Sequence, residues 1–403
     1  MENRKHIFIK ITLFLALILN LVVGCERNLS ENATVATYPK TAEIFIDGFS
    51  AGLGYGAFGN TKLDAFNVDS TVKYAGTASM RFDVPNVNDP EGAFAGGVFI
   101  DAGGRDLTGY DAITFWAKGS QSATLNSVGF GNDFGSNKYM VTMNNLSLAT
   151  YWKKYTIPIP DASKLKIEKG MFWYAEGPEE GKGYTFWIDE VKFEKLGTLA
   201  HPTPAIFDGV NKVEDSFIGV NMTITGLTQT FNLGTGVNQT VSPAPSYYTF
   251  KSSNPSVATV SELGVISVIG AGTTTITATL GGVDALGSIK INSLGAFTPA
   301  PTPTRDAANV ISLFSNAYTN VPVEYYNGYW APYQTTQGQD DIHVNGDDII
   351  RYTQLNFVGN QFSLPTINAS KMTHVHVDIQ VQEAMTAGDY IKIQLADFGA
   401  NGV

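Results

Sequence analysis

The sequence predicts an all-β protein built from several sandwich domains. Three observations indicate this fold class: aromatic residues make up 12% of the chain, 41 of its 403 residues are glycine, and Thr-, Val- and Ser-rich runs alternate with turn residues. These features are typical of short strands that are joined by tight turns. The length exceeds one ordinary hydrophobic core, so we expect two to four domains.

The charge of the chain excludes one class of function. The formal net charge is -11, and only 16% of the residues are charged. Binding to nucleic acid requires a basic stripe, so we expect no nucleic-acid partner. We also expect a monomer.

The first 25 residues form a targeting segment. A basic start with Arg4 and Lys5 precedes the apolar run "IFIKITLFLALILNLVVG", which ends at Cys25, the only cysteine of the chain. The sequence "VVGC" resembles the lipobox of bacterial lipoproteins. This resemblance implies a lipidated Cys25 and a surface-exposed outer-membrane lipoprotein in the cell envelope. The alternatives are a plain secretion signal and a membrane anchor, and Lys10 disfavours the anchor because it interrupts a run already near the ~20-residue minimum.

A polar tether and a first β-domain follow. Residues 26–40 lack hydrophobic periodicity and are interpreted as the tether. In residues 41–196, clusters of Gly, Asn, Asp and Pro separate about eight strand-like segments. This pattern predicts a two-sheet sandwich of the jelly-roll kind.

A second β-domain spans residues 205–294. The stretch "YYTFKSSNPSVATVSELGVISVIGAGTTTITATLGG" alternates with period two and contains turn residues at Asn254-Pro255 and Gly270 to Gly272. It resembles the bacterial Ig-like module of the Big-2 type. The resemblance implies a seven-strand sandwich that spaces other domains and carries no chemistry.

The third β-domain repeats the first. It covers residues 306–403, after the Pro/Ala/Thr linker 295–305. Its strand-like segments follow those of the first domain in order, and "YIKIQLADFGANG" corresponds to "LNSVGFGNDFGSN". Because nothing corresponds to residues 138–195, we expect a second, C-terminally incomplete jelly roll from a longer protein. The alternative is a genuine half-domain, whose open sheet edges folded proteins avoid.

Five segments of the first domain resemble galactose-binding-like carbohydrate-binding modules, which are jelly rolls appended to glycoside hydrolases. The segments are "IFIDGFSAG", "GTASMRFDV", "LTGYDAITFWAKG", "YWKKYTIPIPD" and "GYTFWIDEVKFE". The third domain, with "ANVISLFSNAY", looks like modules of the same kind, which occur beside Ig-like modules in laminarinase-type enzymes of glycoside hydrolase family 16. The resemblance implies non-catalytic binding of a β-glucan-like polysaccharide.

Aromatic side chains are the candidate sugar contacts, because aromatic rings stack on the C–H faces of sugars. The candidates are Tyr139, Trp173 and Tyr174 in the first domain and Tyr326, Tyr329 and Trp330 in the third. Trp173 and Tyr174 are adjacent, so on a strand they face opposite sides. Only one of the two can then face a ligand, and the other fills the core.

A structural calcium ion is the one cofactor that the resemblance implies, and no cofactor is required for binding. In this superfamily the ion is bound by oxygens from the first and last strands, where this chain has Asp47 and Asp189. Calcium takes six to eight oxygens, and two carboxylates supply only part of that number.

We expect no enzyme in the visible chain. Family 16 hydrolases carry the pattern E-x-D-x-(x)-E, whereas "WIDEVKFE" has Trp187 at the place of the nucleophile. Two alternatives remain: the N-terminal part of a secreted endo-β-glucanase whose catalytic domain follows Val403, and a structural or adhesive surface protein.

Overall fold

The computed structural model describes residues 37–328, 330, 332–362, 364–382 and 385–399. These residues form β-strands and four short 3₁₀ turns, with no α-helix among them. The predicted all-β fold class is therefore confirmed. In the same ranges, no helix has the length and apolar character needed to span a membrane.

Contacts divide the chain into two compact units. The first unit comprises Met1–Asn137 and Asn144–Gly197, and the second comprises Lys138–Met143 and Thr198–Val403. The cysteine predicted to carry lipid, Cys25, lies outside the described residues.

The first unit is a sandwich of two antiparallel sheets. Its strands are β1 (Glu43–Phe45), β2 (Leu53–Ala57), β3 (Phe66–Asp69), β4 (Ser79–Asp83), β5 (Ala95–Arg105), β6 (Ala112–Gly119), β7 (Ala123–Phe130), β8 (Val141–Leu148), β9 (Lys153–Pro158), β10 (Glu168–Glu176) and β11 (Thr185–Glu194). One sheet, here called the β6 sheet, has the order β3-β4-β11-β6-β9, with β1 added beside β11. The other, the β5 sheet, has the order β8-β7-β10-β5-β2.

Aromatic rings fill the space between the two sheets. Phe115 of β6 meets Phe172 of β10 edge-on, with ring centroids 5.7 Å apart. Phe82 of β4 meets Tyr174 of β10 in the same way at 4.3 Å. All four side chains are completely buried. Each such ring contributes about 2–3 kcal/mol through its burial, so the alternation along these strands holds the sheets together.

A buried arginine ties the start of the domain to the β5 sheet. The Nε of Arg105 donates to Asp101 at 2.8 Å, and its Nη1 donates to the carbonyl oxygens of Thr41 and Glu43 at 3.1 and 2.7 Å. Its Nη2 donates to Ser50 Oγ at 2.8 Å. Because the guanidinium is 1% exposed and donates four hydrogen bonds within the domain, it stabilises the fold and is not available to a ligand.

The second unit begins with a group of small sheets. Its strands up to residue 296 are β12 (Ala200–Ala205), β13 (Asn211–Ile218), β14 (Asn221–Thr223), β15 (Thr228–Asn232), β16 (Asn238–Pro243), β17 (Tyr248–Ser252), β18 (Ala258–Val260), β19 (Val265–Val268), β20 (Gly272–Leu280), β21 (Val283–Asp284) and β22 (Ser288–Ala296). One sheet has the order β13-β22-β20-β17, and β14-β19-β18 and β12-β15-β16 form two further strand groups. Ile276, Ile289 and Ile291 lie in the core.

The remaining strands of the second unit form two hairpin-like pairs. They are β23 (Tyr325–Gly328), β24 (Gln337–Val344), β25 (Asp347–Thr353) and β26 (Gly359–Gln361). Ile342 and Val344 of β24 pack against Phe217 of β13. The nearby Arg351 Nη2 pairs with Glu214 at 2.8 Å. An apolar cluster and an ion pair thus join β24 and β25 to the preceding sandwich.

The alternating segments 374–382 and 390–397 belong to no sheet among the described residues. Val375, Val377, Ile379 and Val381 are all about half exposed. A strand forms only when a neighbouring chain satisfies its backbone groups. The described part of the third domain contains no strand beside these segments that does so.

Candidate functional site

The outer face of the β5 sheet, called here the Trp173 face, is built around one indole. Trp173 of β10 lies opposite Val98 of β5 and Gly129 of β7. Val98 lies in turn opposite Gly56 of β2. Directly paired residues share one side of a sheet, so these four residues form one row across four strands.

The next row of the same face consists of small residues. Ala175 of β10 lies opposite Gly96 of β5 and Ser127 of β7. The Oγ of Ser127 donates to Asn144 Oδ1 of β8 at 2.7 Å. Because Gly, Ala and Ser barely rise above the backbone, this row forms a low floor beside the indole, edged by a polar amide.

Aromatic rings from the connecting loops border this floor. The Phe134 ring lies directly over Gly56, and the Phe94 ring lies over Gly96, at positions where any Cβ would collide with them. The Phe58 ring meets Phe134 edge-on at 5.6 Å and Trp173 at 6.4 Å between centroids. The glycines are therefore required so that the rings can rest on the sheet.

Phe134 stands at the exposed tip of the loop between β7 and β8. Its side chain is 54% exposed, and its backbone has φ of 55°. Beside it, Asp133 Oδ1 accepts the N–H groups of Gly135 and Asn137 at 2.8 and 3.1 Å. Asn137 Oδ1 accepts the N–H of Asp133 at 2.9 Å. These hydrogen bonds fix the conformation of the loop and with it the position of the Phe134 ring.

The indole N–H of Trp173 lacks a hydrogen-bond partner in the described structure. The side chain is only 7% exposed, and Nε1 is buried. A buried donor without an acceptor costs about 1–3 kcal/mol. A sugar hydroxyl would remove that penalty if the groups that cover Nε1 moved aside on binding.

Two buried carboxyl groups of β10 have perturbed pKa values. Burial raises the pKa of Glu168 to about 7, although the N–H groups of Gly170 and Lys169 donate to it. Burial likewise raises the pKa of Glu176 to about 7, against hydrogen bonds from Asn126 N–H and the Tyr184 hydroxyl. Both carboxyls are engaged by these fixed partners, which is typical of a structural role.

The other predicted sugar contacts of the first domain lie elsewhere. Tyr174 is completely buried, and its hydroxyl hydrogen-bonds Tyr55 at 2.9 Å. It therefore has no open ring face in this structure, and of the adjacent pair it is Trp173 that faces outward. Tyr139 is half-buried, lies in the segment that clusters with the second unit, and meets the Tyr247 ring edge-on at 5.4 Å.

Phe58 and Phe134 were not predicted as site residues. Both stand in Gly-rich turn segments, "GAFGN" and "DFGSN". A bulky apolar residue between turn residues is the signal that could have identified them, because loop tips rarely bury such a side chain.

A second aromatic surface lies in the second unit around Trp330. This indole is 45% exposed and rests on Gly359, with Tyr325 at 6.4 Å and Phe357 at 6.2 Å between ring centroids. Tyr333 nearby in sequence is 78% exposed. The cluster provides open ring faces in a short stretch of chain.

Two further tyrosines were predicted for this surface. Tyr326 is half-buried, and its hydroxyl donates to the carbonyl oxygen of Leu313 at 2.8 Å. Tyr329 lies outside the described residues.

The two predicted calcium ligands meet at one loop. Asp47 accepts the N–H groups of Thr77 and Ala78, which lower its pKa. Asp189 Oδ2 accepts those of Tyr74 and Ala75 at 2.8 and 3.2 Å. The described residues contain no group of three acidic, His or Cys side chains that could hold a metal. Calcium would need most of its six to eight oxygens from backbone or water, so this site stays a prediction.

Two known protein families match parts of the chain. The family model "Carbohydrate binding domain 30" matches residues 42–195, and "Intimin, immunoglobulin-like domain" matches residues 234–282. These matches support a carbohydrate-binding module and an Ig-like domain. The Ig-like match is to the intimin model, and the Big-2 subtype stays a prediction. The comparison with curated proteins found no match.

Several solved structures are similar to part of the chain. The family 30 carbohydrate-binding module of a cellulosomal cellulase of Clostridium thermocellum shares 17% identity over 40% of this chain and 95% of its own, with a TM-score of 0.28. A family 11 module from the same organism, in complex with a β-1,3-1,4-mixed-linked tetrasaccharide, shares 16% identity over 40% and 98%, with a TM-score of 0.27. A β-1,2-glucanase from Parabacteroides distasonis shares 11% identity over 64% of this chain and 40% of its own, with a TM-score of 0.28.

Proposed function

We propose that the protein binds polysaccharide without cleaving it and that the Trp173 face is its main contact surface. The observation that carries this proposal is the exposed ring of Phe134, which the Phe58 ring links to the Trp173 indole with its orphaned N–H. Sugars offer C–H faces to aromatic rings and hydroxyl oxygens to donors, so one ligand class uses both groups.

The shape of the face supports a chain-like ligand. The row of Gly96, Ala175 and Ser127 lies on three neighbouring strands, and Asn144 of β8 edges it with a polar amide. The Phe94 ring covers Gly96, so the open part runs from β10 to β8, about 10 Å at about 4.8 Å between neighbouring strands. An elongated open floor accommodates consecutive sugar units of a β-glucan rather than one enclosed monosaccharide.

The remaining parts of the chain have complementary roles in this proposal. Lipidated Cys25 attaches the protein to the outer membrane, and the Ig-like domain lies in the sequence between the binding domain and the aromatic surface around Trp330. The protein then holds glycan at the cell surface or delivers it to an attached glycoside hydrolase. The exposed rings of Trp330 and Tyr333 support a second contact with the same polysaccharide.

Affinity gel electrophoresis tests the proposal. The protein is run through gels containing mixed-linkage β-glucan, laminarin or hydroxyethyl cellulose, with dextran and a sugar-free gel as controls. We expect retardation by at least one β-glucan and reduced retardation for Phe134→Ala. The matched control is Tyr38→Ala, which removes a ring that is 42% exposed and lies away from the Trp173 face. Equal mobility in all gels would refute polysaccharide binding.

A further inference from the structure

The outer face of the β6 sheet carries a row of one aromatic and several polar side chains that are not part of the Trp173 face. Trp187 of β11 lies opposite Arg81 of β4 and Lys118 of β6. Arg81 lies in turn opposite Asn67 of β3. The row therefore crosses four strands, about 14 Å, on the opposite side of the sandwich from Trp173.

The indole of Trp187 in this row is held in place by a hydrogen bond from its N–H group. The Nε1 of Trp187 donates to Asp69 Oδ2 at 2.9 Å, and Asp69 is 7% exposed. Burial opposes the charge of Asp69, but the hydrogen bonds from Thr71 and Trp187 outweigh it and hold the pKa of this carboxyl below its usual value. The indole is therefore fixed and half-buried, and Lys118 Nζ lies over one of its faces.

Arg81 is also prearranged. Its Nε donates to both oxygens of Asp83 at 3.0 Å, and its Nη2 donates to Oδ1 at 3.0 Å. Asp83 in turn accepts the hydroxyl of Thr185 at 2.6 Å. This fork leaves Nη1 as a donor without a hydrogen bond to any described residue. The planar guanidinium thus presents one edge outward.

An open groove lies beside these groups. Its volume is about 400 Å³, and it is lined by Asn67, Val68, Asp69, Ser70, Arg81 and Asp83. Small-molecule sites commonly measure about 300–1,000 Å³. The lining is mostly polar, which disfavours an apolar ligand or an apolar protein segment.

The charges around the groove limit the ligand class. Arg81 lies opposite Trp187 on the neighbouring strand, and Lys118 Nζ lies over the Trp187 ring, 5.8 Å from its centroid, so a cation is disfavoured. The carboxylates Asp69 and Asp83 line the groove, so an anion is disfavoured as well. A neutral ligand with several hydroxyls can hydrogen-bond to both the positive and the negative side chains around the groove.

We infer that this groove is a second sugar-contact site, which takes neutral hexose units of a polysaccharide on the face opposite Trp173. The inference rests on the proposed function. The hydroxyls of the hexose accept from Arg81 Nη1 and bond to Asn67, and the Trp187 indole borders the groove through its hydrogen bond to Asp69. A sandwich with a sugar site on each face bridges two glycan strands instead of holding one.

Fluorine NMR of the full chain tests this inference site by site. The chain has five tryptophans, so labelling with 5-fluorotryptophan gives five resonances, which Trp→Phe variants assign. The probes are hexasaccharides of mixed-linkage β-glucan and of laminarin. The Trp116 resonance is an internal control, because the Tyr74 ring covers that indole at 3.9 Å with an interplanar angle of 12°.

We expect the Trp187 and Trp173 resonances to shift with separate saturation curves. In Arg81→Ala combined with Asn67→Ala, the Trp187 shift should fall at least fivefold while the Trp173 shift remains. Both side chains are surface groups, and an unchanged control spectrum shows that the variant is folded. A Trp187 resonance that stays fixed at tenfold the concentration saturating Trp173 overturns the second site alone. No shift at Trp173, Trp187 or Trp330 with either probe overturns the proposed function as well.

Discussion

Replacing Phe134 by alanine should weaken glycan binding about tenfold and leave the fold intact. A buried aromatic side chain removes about 150–250 Å² from water, and 54% of Phe134 is still exposed in the free protein. About 80–135 Å² is therefore available to a ligand, worth about 2–3 kcal/mol at 25 cal/mol per Å² if all of it were covered. A sugar stacked on one ring face covers about half of it, which leaves about 1–1.5 kcal/mol, or roughly fivefold to twelvefold in Kd.

Isothermal titration calorimetry with mixed-linkage β-glucan hexasaccharide measures this loss directly. The control Tyr38→Ala removes a ring of similar exposure and should leave Kd within twofold. A Tm measurement should show a small change for both variants, because each ring is substantially exposed. If Phe134→Ala binds with the same Kd as the unchanged protein, the ring does not contact glycan and the placement of the site is wrong.

Four further predictions follow from named side chains. Trp173→Phe removes the orphaned indole N–H and should weaken glycan binding by about 0.5–1.5 kcal/mol in calorimetry, with little loss of Tm, whereas unchanged affinity would mean that Nε1 never meets the ligand. The pKa of Glu168 is raised from 4.5 to about 7, so the contribution of its protonated carboxyl to the free energy of unfolding is complete below pH 4.5 and is lost as pH rises through 7. In urea unfolding, Glu168→Gln should therefore be more stable than the unchanged protein by about 3 kcal/mol at pH 8 and equal to it at pH 4. Arg105→Met leaves Asp101 buried without its cation and should lower the free energy of unfolding by about 3–5 kcal/mol in the same assay. A loss below about 1 kcal/mol would contradict a stabilising role for the hydrogen bonds of Arg105. Cys25→Ala should abolish incorporation of labelled palmitate and release the protein from membranes, and retention of the label would refute lipidation at this residue.

The sequence was sufficient for the fold class because strand periodicity and turn residues are local signals. The alternation in "AITFWAKG" and "TFWIDEVKFE" predicts strands, and both segments form them as β6 and β11. The same alternation showed that only one of Trp173 and Tyr174 can face outward. It could not show which one, because that depends on which side of β10 packs against the other sheet. Tyr174 pairs with Val128 on the inner side, and Trp173 pairs with Gly129 on the outer side.

The composition of the Trp173 face could not be derived from local patterns. Phe134 follows β7, yet its ring rests on Gly56 of β2, on the far side of β10 and β5. That position depends on the strand order, which the spacing of strands in the sequence does not specify. Tyr139 shows the converse: an aromatic residue that looks available beside a turn packs against Tyr247, 108 positions away in the chain.

The paired sites on the two faces of the first sandwich differ in kind. On the Trp173 face the rings are apolar and the floor is backbone, so binding there depends mainly on stacking. On the Trp187 face a guanidinium, an amide and two carboxylates line a groove beside one ring, so binding there should depend more on oriented hydrogen bonds. The two sites should therefore discriminate differently among glycans, with the Trp187 site more sensitive to hydroxyl configuration.

Calorimetric titration of the full chain with mixed-linkage β-glucan hexasaccharide tests the central claim most directly. The account predicts saturable binding that Phe134→Ala weakens about tenfold and Tyr38→Ala leaves unchanged. Absence of heat with this oligosaccharide and with those of laminarin and cellulose, at concentrations up to about 5 mM, would contradict polysaccharide binding, since that limit corresponds to less than about 3 kcal/mol of binding free energy.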